Sequence, residues 1–161
     1  MMKAELPKRR RIRLENFDYS TCALYFLTIC IRCPEISLWQ SVGANIVRPQ
    51  LSETGYCVRR ALQNISEIYS NVTVTDYCIM PDHIHCILWI HPDDDGRTMF
   101  APTVSRVVKQ FKGAVTKQVG FSIWQKSFYD HILRNDKAYQ QAVDYIYNNP
   151  IRWIAAHETD S

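Results

Sequence analysis

The sequence predicts an α+β domain built on a mainly antiparallel sheet with helices packed against it. Two observations carry this. Stretches rich in β-branched and aromatic residues alternate with stretches whose apolar residues recur at helical spacing. The second and third strand candidates are separated only by Pro81-Asp82, a turn too short for anything but an antiparallel return.

The elements follow in order. Ala23-Leu-Tyr-Phe-Leu-Thr-Ile-Cys-Ile31 reads as a central strand. Leu38 to Leu51 holds Gly43-Ala-Asn45 between short apolar stretches and reads as a hairpin. Ser52 is placed to cap a helix whose apolar positions are Val58, Ala61, Leu62, Ile65, Ile68 and Tyr69. Val72 to Met80 and His83 to Ile90 form the next two strands, and His91 to Arg97 a loop. Val104, Val107, Val108, Phe111, Ala114, Val115 and Val119 trace one face of a second helix, with Arg106, Lys109, Lys112 and Lys117 on the others. Ser127 to Leu133 reads as a fourth strand, and Asp136 is positioned to cap a last helix running toward Pro150.

The chain suits one domain spanning residues 1–161, since no repeat, low-complexity tract or long linker divides it. No apolar run approaches the roughly 20 residues that cross a bilayer, and the basic start lacks the apolar stretch of a secretory signal. No membrane association is expected, and the chain is read as cytoplasmic. The six cysteines sit among apolar neighbours and read as buried, reduced thiols. Net charge is only +3, yet residues through Tyr19 hold six basic side chains against three acidic ones, which accounts for the whole excess. A basic arm over residues 1–20 on a neutral domain suits contacts to a phosphate backbone.

His83-Ile84-His85 is the first informative constellation. Side chains alternate along a strand, so the two imidazoles share a face and Ile84 points oppositely with Cys86, Leu88 and Ile90. Two imidazoles on one face of a rigid strand form half a site for a divalent metal. The pair alone is not specific, because two surface histidines on a strand would look identical.

Met80-Pro-Asp-His-Ile-His-Cys-Ile-Leu88 resembles the histidine–hydrophobic–histidine signature of the HUH endonuclease superfamily. It is closer still to the Met-Pro-Asn-His-Val-His pattern of REP-associated tyrosine transposases and their insertion-sequence relatives. Further blocks agree in order: Arg10 to Leu14, Asp18 to Ser20, Tyr25 to Cys30, Phe111 to Lys117, Trp124 to Asn135, and Asp144 to Trp153. Asp82 departs from the pattern, standing where asparagine is usual. The resemblance implies a ferredoxin-like, RRM-like fold and a transposase that nicks and rejoins single-stranded DNA beside a hairpin. It also implies a 5′-phosphotyrosine intermediate.

Of nine tyrosines, the resemblance selects Tyr145 as nucleophile. Helical geometry agrees in part, because Tyr145 lies at the edge of the stripe formed by Tyr139, Ala142, Val143 and Ile146. Tyr147 is the reserve candidate; it lies about 200° around the helix from Tyr145, so both cannot face one metal. The resemblance implies that a polar residue one turn beyond the tyrosine completes a metal site with His83 and His85; Asn149 matches that position, and could equally cap the helix end. Mixed imidazole and amide ligation suits magnesium or manganese. Arg9, Arg10, Arg11 and Arg13 in the arm, and Lys109, Lys112 and Lys117 on the second helix, are candidate DNA contacts. His131 is read as a structural hydrogen-bonding group, and Trp124 and Trp153 as core. Two other functions fit the residues: a non-catalytic DNA-binding protein of the same fold, or a metal-dependent phosphodiester hydrolase using water. Monomer and homodimer are both open, since relatives differ in whether they exchange helices.

Overall fold

A computed structural model describes residues 23–40, 50–92 and 102–158. Residues 1–22, 41–49, 93–101 and 159–161, and with them the expected basic arm, lie outside the described residues. Four strands, β1 (Ala23–Cys30), β2 (Val72–Ile79), β3 (His83–Ile90) and β4 (Tyr129–Ile132), form one sheet in the order β2-β3-β1-β4. Every pairing is antiparallel. Three helices accompany it: α1 (Glu53–Ile68), α2 (Val104–Val119) and α3 (Asp136–Glu158). The order of strands and helices is the ferredoxin-like one expected, with α3 added at its end.

Alternation on the two central strands separates two cores. Tyr25, Leu27 and Ile29 of β1 and Ile84, Cys86, Leu88 and Ile90 of β3 face α1 and α2. There they meet Val58, Leu62 and Ile65 from α1 and Val107, Phe111 and Val115 from α2, all buried. Full burial of each such side chain contributes roughly 1.5–3 kcal/mol, so these stripes dominate the attachment of both helices. Ile68, expected on the α1 stripe, is instead 48% exposed at the helix end. The opposite face carries Leu24 and Ile87, which pack with Ala142 and Ile146 of α3. The histidines belong to this second face.

Local chemistry fixes the ends. Ser52 caps α1 by accepting from the Gly55 amide. Thr103 does the same for α2 through the Arg106 amide, and Gly120 closes α2 with φ +102°, a conformation that favours glycine. Trp39 pairs with Leu51 in an antiparallel bridge, which agrees with the hairpin expected there; its turn lies outside the described residues. Two boundaries differ from expectation. The cap of α3 is Asn135, whose Oδ1 accepts from the Ala138 amide at 2.7 Å, rather than Asp136. The helix also continues through Pro150 to Glu158. Trp153, beyond the proline, packs edge-on against Trp39 at 5.0 Å between centroids, and Trp39 Nε1 donates to the Ile79 carbonyl at 2.6 Å. That burial offsets the hydrogen bond a proline removes.

β2 carries a bulge between Val74 and Asp76. Val74 pairs with Leu88 on the α1/α2 face, whereas Asp76 pairs with Ile87 on the α3 face. One inserted residue thus turns an acidic side chain toward the helix that crosses the histidine face.

Candidate active site

His83 and His85 stand side by side on β3, with their Nε2 atoms 3.2 Å apart. Each Nδ1 is held from behind. His83 Nδ1 lies 2.7 Å from Asp82 Oδ1, and His85 Nδ1 lies 2.9 Å from the hydroxyl of Thr28, its partner across the β1–β3 register. An ionised carboxylate only accepts, so the Asp82 contact puts a proton on His83 Nδ1 and leaves its Nε2 as a lone pair in the neutral ring. The Thr28 hydroxyl can donate or accept. When it donates to His85 Nδ1, His85 Nε2–H can donate to His83. When it accepts, both Nε2 lone pairs are free to face a common cation. A change of His85 tautomer, with the Thr28 hydroxyl reorienting to match, therefore interconverts a hydrogen-bonded pair and a bidentate ligand.

His85 is 5% exposed, and its pKa is pushed down to about 4, mainly by burial and then by the charge of His83, with the Leu27 backbone acting the other way. At neutral pH it is an uncharged imidazole, the form that binds metals. Two nitrogens at right angles about 2.1 Å from one ion would lie about 3 Å apart, close to the observed spacing. The pair thus fits a divalent cation. Among the described residues no further His, Cys, Asp or Glu completes a three-member metal-holding group.

Tyr145 reaches this pair from α3 of the same chain. Its ring packs edge-on against His85 at 5.1 Å and against Phe26 at 6.0 Å, while 44% of the residue stays exposed. Phe26 in turn stacks on His85 at 5.3 Å. Thr28, Phe26, His85, His131, Gln141 and Tyr145 line one open cleft of about 370 Å³. Tyr147 is oriented otherwise: its hydroxyl donates to Asp76 Oδ1 at 2.9 Å, and it does not line the cleft. Tyr139, two turns earlier, donates to the other oxygen of the same carboxylate at 3.1 Å. The pKa of each phenol is raised, for Tyr139 by burial and then the charge of Asp76, and for Tyr147 by its hydrogen bond to Asp76 and then burial.

Asn149 lies on α3 one turn past Tyr145. Its Nδ2 is buried without a hydrogen-bond partner, and among the described residues no side-chain contact ties it to the histidines. The structure therefore brings His83, His85 and Tyr145 together and leaves Asn149 nearby with an incompletely bonded amide.

The basic candidates are distributed differently. Arg9, Arg10, Arg11 and Arg13 lie outside the described residues. Lys109 and Lys117 are exposed on α2, which packs on the sheet face opposite the histidines. Lys112 departs from the expectation of a free phosphate contact. Its ammonium donates to the carbonyls of Gln125, Lys126 and Ser127 at 2.8, 3.4 and 3.2 Å, and so ties down the segment before β4. Trp124 is core, as expected, buried against Phe111. The five cysteines among the described residues are free thiols.

Residue types and spacing did not single out Thr28, Phe26 or Gln141. Each reaches the site across strands or a helix, and register is not written in a local pattern. Asp82 stood out only as a departure; its grip on His83 gives it a role.

No family model matches the chain. A protein of Haemophilus influenzae described as uncharacterized is 30% identical over 169 residues, spanning 93% of this chain and 92% of that one. The REP-associated tyrosine transposase of Escherichia coli K12 is 36% identical over 83 residues, half of this chain and 47% of that one. A solved structure of a REP-associated tyrosine transposase bound to a REP hairpin superposes with a TM-score of 0.61 at 26% identity, covering 83% of this chain and 69% of that one. This chain belongs to the family of REP-associated tyrosine transposases.

Proposed function

We propose that the protein cuts single-stranded DNA beside a hairpin and rejoins it to a new end, with Tyr145 as nucleophile. The observation that carries this reading is the meeting, within one chain, of the Tyr145 and His85 rings at 5.1 Å in an open cleft. That the solved relative is bound to a REP hairpin supports hairpin DNA as the partner.

His83 and His85 would hold a divalent ion, magnesium or manganese, and Asn149 would add a third donor through its amide oxygen. When bound, the ion supplies Lewis-acid polarisation of the scissile phosphate and charge neutralisation at the departing oxygen. Asp82 and Thr28 fix the ring orientations of the two ligands, as outer partners of metal-bound imidazoles do. The Tyr145 oxygen attacks phosphorus as its proton departs. The bond to the 3′-oxygen breaks, that oxygen takes up a proton, and the 5′-phosphate stays esterified to Tyr145. Because the ester retains the energy of the cleaved linkage, another 3′-hydroxyl can reverse the step on a new partner. Packing of Tyr145 against Phe26 and His85 limits its motion, which lowers the entropy cost of reaching the phosphate. The basic arm, through Arg9, Arg10, Arg11 and Arg13, adds sequence-independent affinity.

A cleavage assay on a hairpin-bearing single-stranded oligonucleotide with manganese tests this. Tyr145→Phe and His83→Ala should each lower cutting on the order of a thousandfold or more, whereas Tyr147→Phe should cut. Cutting by Tyr145→Phe at the rate of the unaltered protein overturns the assignment.

A further inference from the structure

The cleft reaches the edge strand β4 through His131, and that strand carries a second feature. β4 pairs only with β1, and its register sets Tyr129 opposite Thr28 and His131 opposite Phe26. Thr28 is in turn opposite His85 across β1–β3. Tyr129, Thr28 and His85 therefore form one row across the sheet, all on the face that holds the histidines. His131 follows in the next row, tilted against Phe26 at 5.5 Å and lining the cleft. Asp130 alternates to the other face, so no carboxylate of β4 intrudes on this row.

Tyr129 is 70% exposed, the most exposed of the large apolar side chains among the described residues. No hydrogen bond or ring contact engages its side chain there. A single exposed aromatic is ordinary. This one stands two strand spacings, about 10 Å, from the His85 column, in the row of Thr28 and His85, which both line the cleft.

We infer that Tyr129 is a stacking platform for single-stranded DNA leaving the cleft past His131, so that a base near the cut rests on its ring. The inference rests on the function proposed above and adds a contact that positions the strand. Stacking on an aromatic ring tolerates any base and suits a flank whose sequence varies, while its π face is what an aliphatic side chain of similar bulk lacks.

The test uses the full chain and a single-stranded oligodeoxynucleotide carrying 2-aminopurine at successive positions 5′ and 3′ of a hairpin. At one or two positions, binding should quench the fluorescence through stacking. Tyr129→Leu should abolish that quench and weaken binding on the order of tenfold, and Tyr129→Phe should preserve both. Tyr147→Phe, whose ring does not line the cleft, should leave the quench in place. A quench unchanged in Tyr129→Leu, or absent from the unaltered protein at every position, overturns the inference. If Tyr145→Phe cuts normally while Tyr129→Leu still loses the quench, the cleavage assignment fails and the platform stands.

Discussion

Thr28, Asp82 and the two histidines show how much of the site is decided by partners that a linear pattern does not display. The parity of His83 and His85 was legible, because alternation on a strand needs only the sequence. Their Nδ1 partners were not. Asp82 adjoins His83 in the chain, but its contact depends on the turn geometry at residues 81 and 82; Thr28 arrives from a strand 57 residues away. Burial of His85 has a measurable consequence. Its folded pKa, about 4, lies below the ordinary histidine value, so the unfolded chain binds the proton more readily. This group's contribution to stability is therefore fully present above pH 6.5 and is lost as pH falls toward 4, with a total on the order of 3 kcal/mol. Urea unfolding in the presence of a chelator at pH 7 and pH 4.5 should show a larger loss for the unaltered protein than for His85→Gln. Equal losses would mean that His85 is not held in the uncharged form by its surroundings.

At the scale of elements, α3 is the piece that completes the site. Its apolar stripe was legible from Ala142 and Ile146, and both are buried against Leu24 and Ile87. Its extent was not, since Pro150 ordinarily stops a helix and only the distant Trp39 explains why residues 151–158 continue it. The β2 bulge was equally hidden, because nothing in Val72-Thr-Val-Thr-Asp-Tyr77 announces a change of face after Val74. Yet that change aims Asp76 at the Tyr139 and Tyr147 hydroxyls, pinning α3 at two points eight residues apart. With the helix rotation fixed in this way, Tyr145, about one and two-thirds turns beyond Tyr139, is the position that meets His85. Asp76→Ala should lower stability by about 1–3 kcal/mol, tempered by the exposure of Tyr147, and should speed amide exchange along α3. Exchange rates in α3 equal to those of the unaltered protein would show that apolar packing alone sets its orientation.

For the molecule as a whole, the two faces of one sheet divide the work. α1 and α2 close the larger core against one face, and the other is left for the histidine pair and the helix that crosses it. The succession of strands and helices along the chain followed from the alternation of apolar stretches, whereas the ferredoxin-like arrangement came only with the family resemblance; no helix among the described residues is long and apolar enough to cross a membrane. The sidedness of the basic residues did not follow: Lys109 and Lys117 lie behind the sheet, because the stripe of α2 is buried against the face opposite the cleft. Tyr145 and His85 meet within one chain. The measurement that bears most directly on the account is the identity of the residue bonded to DNA. After incubation with a hairpin-bearing single-stranded oligonucleotide and manganese, denaturation, nuclease trimming and peptide mass spectrometry should find a nucleotide phosphate on Tyr145. A nucleotide on Tyr147 or another residue, or cleaved DNA with no protein-linked product, would contradict it.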